Sequence, residues 1–471
     1  MKFYKKIFFS VLALSLILHS CDLEESNIDP SRPLNVELSL ILPTAIGQSA
    51  FNQMALPARQ PGIIVQHFAG IDAQQLGYSE NYLFEENTFN NYWNGGAYGG
   101  VLKDARDLIQ QGTEEGQPYY VGIGKVLMAE EFGRLTSSFG DIPFSDALKG
   151  TESIKPVFDK QEDVYDGVLR ILDEAIIELS KPAVAGGPAG DDLLFGGNAS
   201  KWIKLAHGLK ARYLMHLTKR RSVYAQVLTE VSASFVSQAE EPVFQWQSAI
   251  TAANPLAKFG LERSNTLKID SRFGEALTNR VDPRRSRYFD LQGSQYDFHN
   301  SNNTKLIWAQ NNSAIPFLSF AELKLYEAEA RLMTSDEPGA QTALSAAVDA
   351  SMAQIGVGAS EAAEVTAYKA TYANLALAAT QQDKLRVIIG EAYYTLYAHQ
   401  EQTVWTNYRR TGYPALTPPA TGTSGLNPSG VVPRRWVYPG GEKTTNSVNV
   451  NAAIANQGGE LLDKNTWAFD N

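Results

Sequence analysis

A helical period that recurs through most of the chain is the feature that most constrains its fold. In the segment DVYDGVLRILDEAIIELS (163–180), apolar residues recur every three or four positions from Val164 to Leu179, with charged residues between them. The same spacing runs from Trp202 to Tyr213. This spacing places the apolar side chains on one face of an α-helix, so we predict a series of amphipathic helices that bury their apolar faces against each other.

The period fails in the middle of the chain and near its end. Residues 243–315 are rich in Asn, Ser, Gly, Arg and aromatic residues, which favours loops with a few short strands or helices. Residues 416–471, rich in Pro, Gly and Asn, are predicted to be irregular. We therefore predict an all-α fold, a solenoid of helix pairs formed by residues 34–242 and 316–415 that carries a large loop-rich insertion. Residues 21–471 are predicted to form one domain.

Composition excludes several classes of protein. The 471 residues include one cysteine, Cys21, so the chain forms no internal disulfide and no zinc site built from several thiolates. With 44% hydrophobic residues, its stability must come from a large core. The net charge of −10 gives no electrostatic reason to expect a nucleic-acid partner.

The first twenty residues are typical of an export signal. Lys2, Lys5 and Lys6 precede a largely apolar run of twelve residues, 7–18, which is too short to span a bilayer of about 30 Å as a helix. The junction with Cys21 resembles the lipobox of bacterial lipoproteins, which implies cleavage before Cys21 and lipidation of its thiol. The acidic residues just after it resemble the signal that directs Bacteroidetes lipoproteins to the outer face of the outer membrane. The alternative is a plain signal peptide with an incidental cysteine.

Several longer segments together resemble the SusD/RagB family of Bacteroidetes outer-membrane lipoproteins. The likeness extends to about residue 460 and is carried by FGDIPFSDAL (139–148), KWIKLAHGLKARYLMHL (201–217), PFLSFAELKLYEAEA (316–330), VWTNYRRTGYP (404–414) and PRRWVYPGGEKTTN (433–446). The resemblance implies one domain of tetratricopeptide-like helix pairs at the cell surface, anchored by lipid. It also implies a TonB-dependent, SusC-like transporter as partner and nutrient ligands, most often oligosaccharides.

The resemblance also bears on residues that would otherwise suggest a site. It implies that Arg409 and Arg410 hold a helix end through carboxylates or carbonyls. It also implies that five aromatic residues belong to the core, namely Trp93, Tyr98, Trp202, Trp405 and Tyr408.

The sequence has no H-E-x-x-H, G-x-S-x-G or Walker motif, and no histidine pair with metal-ligand spacing. Glu130 and Glu131 are predicted to lie on a solvated helix face. We therefore predict neither an enzyme nor a bound metal or cofactor.

Sugars present apolar faces that stack on aromatic rings, surrounded by hydroxyls that suit amide and charged side chains. The insertion supplies both residue types, so its aromatic candidates for glycan binding are Tyr288, Tyr296, Phe298 and Trp308, with Asn300 and Asn302 as polar partners. Tyr78, Tyr82 and Phe84 come from a second irregular stretch. The alternative role of each of these rings is packing inside the fold. Capture of oligopeptides and, less favoured, a surface glycosidase are the alternative functions.

Lipidation of Cys21 has a direct test, because stable membrane anchoring requires more than one acyl chain. We expect Cys21→Ala either to release a folded protein from the membrane or to leave the precursor uncleaved. Membrane fractionation and N-terminal sequencing measure both results. A variant that stays in the outer membrane with the normal mature N-terminus would contradict the lipobox prediction.

Overall fold

Helices form most of the structure, a computed structural model that describes residues 36–292, 295–297 and 303–470. The mainly helical fold class predicted from the sequence is confirmed. A π-helical stretch, Tyr92–Val101, and several short 3₁₀ turns accompany the α-helices. In chain order the α-helices are α1 (Leu38–Met54), α2 (Leu56–Ile64), α3 (Ala73–Asn81), α4 (Leu102–Glu114), α5 (Pro118–Phe139), α6 (Gln161–Leu179), α7 (Ala199–His216), α8 (Tyr224–Ala233), α9 (Pro255–Glu262), α10 (Ser271–Asn279), α11 (Arg285–Tyr288), α12 (Phe320–Met333), α13 (Glu337–Gln354), α14 (Ala362–Tyr372), α15 (Gln381–Thr395), α16 (Glu401–Thr411), α17 (Gly440–Thr445) and α18 (Ser447–Asn456).

Consecutive helices pack as pairs, in the order expected for a helix-pair solenoid. Helix α5 packs against both α4 and α6, α7 against α8, and α12 against α13. Glycines in α5 allow close approach: a Cβ atom on Gly133 would lie 2.2 Å from the ring of Tyr213, and one on Gly122 would lie 2.5 Å from Leu179. The helical period therefore predicted the framework, whereas single glycines let α5 approach its neighbours closely.

Short strands pair within and between the irregular segments of the described chain. They form antiparallel pairs of β1 (Phe68–Gly70) with β3 (Leu267–Ile269), β2 (Val243–Gln245) with β6 (Ala314–Pro316), and β4 (Asp290–Gln292) with β5 (Gln295–Asp297). Val243 is paired with Pro316, so the two ends of the predicted insertion meet. The insertion also contains α9, α10 and α11.

The core contains four of the five aromatic residues that the family resemblance placed there, and the fifth, Tyr98, is half-buried and packs against it. Trp93, Trp202 and Trp405 are fully buried, and Tyr408 is buried as well. The indole nitrogen of Trp202 donates to Asp192 at 2.8 Å, and that of Trp405 donates to the Pro433 carbonyl at 2.8 Å. These contacts confirm a structural role for the rings.

The end of α16 also follows the prediction. Gly412, in the left-handed conformation with φ 78°, ends the helix. Arg410 forms a buried ion pair with Glu329, and Arg409 donates to the Ser137 carbonyl while its guanidinium lies 3.8 Å from the Trp405 ring centroid. Both arginines therefore hold this helix end, as expected.

The C-terminal segment differs from its predicted structure. The C-terminal segment, predicted to be irregular, contains the helices α17 and α18. Among the described residues, no helix combines the length and apolar character needed to cross a membrane.

Candidate functional site

Two aromatic candidates from the insertion are packed inside the fold. The Trp308 side chain is 3% exposed, and its ring stacks on His399 with centroids 4.7 Å apart. Tyr288 is 2% exposed and donates its hydroxyl to the Tyr394 carbonyl at 2.9 Å. Neither ring offers a free face to a sugar, so their assignment to the ligand site is corrected: both attach the insertion to the helical body.

The candidates from the second irregular stretch are buried as well. Tyr78 stacks on Phe84 with ring centroids 4.8 Å apart, and Tyr82 lies against Gly422. Each of these three side chains is buried, because the stretch folds back on itself and on the C-terminal segment. Their predicted role in ligand binding is therefore corrected to packing.

The remaining predicted residues are only partly covered by the structure. Tyr296 is half-buried and packs edge-on against Phe289, with ring centroids 4.9 Å apart. Cys21, Phe298, Asn300 and Asn302 lie outside the described residues, so their roles stay predictions.

The structure brings a different set of residues together in a cavity of about 520 Å³, which we call the insertion cleft. One wall comes from α1, the start of α2 and the start of the π-helical stretch, and the other comes from residues 246–262 of the insertion. Its apolar lining includes Phe51, Trp246, Ile250 and Phe259. Polar groups alternate with these, namely Gln48, Asn52, Arg59, Asn91, Thr251, Lys258 and Glu262.

Exposed aromatic surface distinguishes this cleft from the buried candidates. The Phe51 side chain is 47% exposed on α1, and Phe259 is half-buried on α9. Trp246 is 8% exposed, packs on Phe244, and has no hydrogen-bond partner for its indole N–H among the described residues. The cleft thus combines the accessible ring of Phe51 with an indole N–H that lacks a partner and is shielded from solvent.

A hydrogen-bond chain fixes one side of the cleft. Gln48 donates to Asn52 at 2.9 Å, and the Asn52 amide donates to the Gly96 carbonyl at 2.8 Å and to Glu131 at 3.0 Å. A Cβ atom on Gly96 would lie 2.7 Å from the Asn52 side-chain oxygen, so a larger residue at position 96 would displace the Asn52 amide. The Asn52 amide is therefore held in one orientation.

Among the described residues that line the cleft, Arg59 is the cation without an acidic partner. Its guanidinium lies 4.2 Å from the Phe259 ring centroid, within the range of a cation–π contact. The described part of the chain supplies it with neither an ion pair nor a hydrogen bond. Burial lowers the pKa of Arg59 to about 10, so the group is charged at neutral pH.

A second cavity of about 600 Å³, the tyrosine cleft, lies between α10, α15 and residues 413–417. Its arginines already have partners: Arg272 pairs with Asp270 at 2.5 Å and Arg386 with Asp383 at 2.8 Å. The Arg280 guanidinium lies between the rings of Tyr372 and Tyr394, at 4.1 and 4.3 Å from their centroids, and 3.5 Å from Glu391. The charges in this cleft are thus neutralised internally.

Glu130 and Glu131 are buried, so the prediction of a solvated helix face is wrong. Helix α5 is covered on several sides, by α4, α6 and α7. Glu130 pairs with Arg134 at 2.9 Å, whereas Glu131 bonds to Asn52 and lies 3.9 Å from the Arg134 Nε atom. Neither carboxylate can reach a substrate.

No group of three or more potential ligands in the described chain could hold a metal ion.

Comparisons with known proteins agree with the fold. Residues 31–439 match a SusD-like family described as "Starch-binding associating with outer membrane". A SusD/RagB family protein from Bacteroides thetaiotaomicron is 25% identical with a TM-score of 0.74, over 92% of this chain and 99% of that one. No curated protein matches the sequence.

Two chitin-binding proteins share the architecture. One is 22% identical with a TM-score of 0.76, over 92% of this chain and 100% of that one. The other, a SusD homologue from Flavobacterium johnsoniae, is 20% identical with a TM-score of 0.74, over 91% of this chain and 99% of that one. At this identity the likeness concerns the fold.

Glu131 generates a prediction about stability and pH. Burial raises its pKa from 4.5 to about 7, against the opposing effect of Arg134 and the Asn52 hydrogen bond. The folded state therefore holds this proton more tightly than the unfolded chain, so the contribution of Glu131 to stability falls as the pH rises from about 4.5 to about 7. We expect Glu131→Gln to remove this fall. In urea denaturation, the free energy of unfolding of this variant minus that of the wild type should be greater at pH 8 than at pH 5. An equal difference at both pH values would contradict the raised pKa of Glu131.

Proposed function

Because the chain belongs to the SusD-like family, we propose that it is a noncatalytic nutrient-binding lipoprotein of the outer membrane that captures oligosaccharides. The family description names starch binding and association with the outer membrane, and chitin-binding proteins share the fold. These relatives support a glycan as the ligand class. The particular glycan is set by the shape and polarity of the site.

The insertion cleft is the observation that carries this proposal. It has the size typical of small-molecule sites, about 300 to 1,000 Å³, and it combines the exposed Phe51 ring with side-chain amides, a hydroxyl and charged groups. A pyranose ring can stack on Phe51 while its hydroxyls bond to Gln48, Asn91 or Thr251. An aromatic platform with polar groups around it is what a sugar face requires.

A binding role without hydrolysis fits the acids of this cleft. Glycosidases generally use two carboxyl groups about 5 to 10 Å apart on either side of the bond to be cleaved. Among the described lining residues, Glu262 is the only acid, and Lys258 lies 3.8 Å from its carboxylate. The cleft therefore lacks the pair of carboxyl groups that the glycosidase alternative needs.

Phe51 provides the test of the site. An aromatic contact contributes on the order of 1 kcal/mol beyond area burial, and about 1.4 kcal/mol is a factor of ten in affinity. We expect Phe51→Ala to weaken glycan binding by up to about tenfold with little change in melting temperature, because the ring is 47% exposed. Affinity electrophoresis and calorimetry with chito-oligosaccharides and malto-oligosaccharides measure this.

Tyr413→Ala is the matched control, since Tyr413 is a partly exposed ring in the tyrosine cleft. We expect it to bind glycans like the wild type. Loss of binding in this variant, with full binding by Phe51→Ala, would move the site to the tyrosine cleft. Binding of oligopeptides in place of every glycan tested would favour the peptide alternative.

Delivery to a SusC-like, TonB-dependent transporter is the second part of the proposal. Its support is the family description of association with the outer membrane, together with the Cys21 lipobox that would anchor the chain at the cell surface. We expect such a transporter to co-purify with the lipid-anchored chain from detergent-solubilised membranes. Recovery of the chain alone, under conditions that preserve other such pairs, would contradict the partnership.

A further inference from the structure

We propose that the insertion cleft selects oligosaccharides that carry an anionic substituent, a uronate carboxylate or a sulfate ester, and that Arg59 binds this group. The inference rests on the proposed function of the cleft and specifies its ligand class. Its basis is the arrangement of charges around Arg59.

Arg59, which is half-buried, differs from several buried arginines of the described chain. Arg212, Arg284 and Arg410 each form an ion pair with a buried carboxylate. Arg409 has no such pair, but it donates to the Ser137 carbonyl and to the hydroxyls of Ser137 and Thr406. Arg59 alone among these five has neither kind of partner in the described chain, and its Nε atom is shielded from solvent.

An unpaired guanidinium that is partly removed from water is unfavourable, unless another charge or hydrogen-bond acceptor compensates it. The ring of Phe259 covers one face of Arg59 and supplies only a cation–π contact. Tyr78 cannot supply the negative charge, because burial raises its pKa above the usual value of 10 and the phenol stays neutral at pH 7. A ligand anion is therefore the missing partner.

The other charges of the cleft leave Arg59 uncompensated. Lys258 and Glu262 lie one helical turn apart, 3.8 Å from each other, and their side chains are 39% and 55% exposed. They offset one another, so the charge of the lining is positive although the whole chain carries −10. In the tyrosine cleft, by contrast, each lining arginine lies near a carboxylate of the protein.

Guanidinium geometry favours carboxylate and sulfate groups over neutral hydroxyls. The planar fork of arginine can donate two parallel hydrogen bonds to two oxygens of one anion. The sugar ring that carries the anion would stack on an aromatic side chain of the cleft. Phe51 and Phe259 both line the cleft with Arg59.

Matched pairs of sugars separate charge from shape. The first pair is oligogalacturonides and their methyl esters, and the second is carrageenan oligosaccharides and their desulfated forms. We expect the wild type to bind at least one anionic form more tightly than its neutral counterpart by tenfold or more, since hydrogen bonds to charged groups contribute about 1.5 to 3 kcal/mol. The pair that shows the difference identifies the carboxylate or the sulfate as the source.

Arg59→Gln should lose this preference and bind the neutral sugars like the wild type. Arg263→Gln is the matched control, because Arg263 lies 5.8 Å from the same Phe259 ring but does not line the cleft. It should retain the preference. Should Arg59→Gln fail to fold, the wild-type comparison and the variant Arg59→Lys remain, and the lysine variant should keep part of the preference through its charge.

Equal affinity of the wild type for charged and neutral members of both pairs would overturn the inference while leaving glycan binding intact. An equal loss of affinity for both members in Arg59→Gln would also overturn it, by showing that Arg59 acts through shape. Failure of the folded wild type to bind any oligosaccharide would instead overturn the proposed function, and the inference with it.

Discussion

Buried ion pairs between distant helices are the interaction on which the rest of the structure depends. Arg212 on α7 forms two hydrogen bonds with Glu322 on α12, at 2.8 and 3.0 Å. Arg410 on α16 pairs with Glu329, which also lies on α12. Helix α12 thereby joins segments that precede and follow it in the chain. Removing one partner of a buried pair generally destabilises a protein by about 3 to 5 kcal/mol, because the other charge is left uncompensated. These pairs make the helical body a single frame around the insertion.

Polar side chains of the helical body also hold the insertion where it rejoins this frame. Arg212 also donates to the Phe317 carbonyl at 2.9 Å, and Gln53 on α1 donates to the Pro316 carbonyl at 2.8 Å. Helix α1 also contributes Phe51 and Asn52 to the insertion cleft. One helix thus fixes the end of the insertion and supplies the facing wall. Such preorganisation reduces the conformational entropy lost when a ligand binds.

The sequence predicted the framework well because helical periodicity reports directly on burial. It failed at Glu130 and Glu131, because α5 is buried against several helices, and adjacent residues that point in different directions can both be inside. Residue type alone could not separate buried from accessible aromatic residues in the insertion, which lacks a period. Trp308 and Phe51 are equally plausible platforms by type, yet they are 3% and 47% exposed. The ring of Phe51 lies away from the buried face of α1, and this departure from the helical pattern is a signal that could have found it. No local feature of the sequence marks Arg59, because its lack of an acidic partner among the described residues is a property of the assembled fold.

The pairing of β2 with β6 brings the entrance and exit of the insertion side by side, since Val243 lies opposite Pro316. A segment that leaves and re-enters a frame at one place can change in length or sequence with little entropic penalty for closing the loop. Residues 243–315 can therefore be replaced by a different segment during evolution. Such a replacement would alter specificity while the helical frame is inherited unchanged. Tyr288 and Trp308 limit this freedom, because any substitute segment must still provide rings that fill their places in the core.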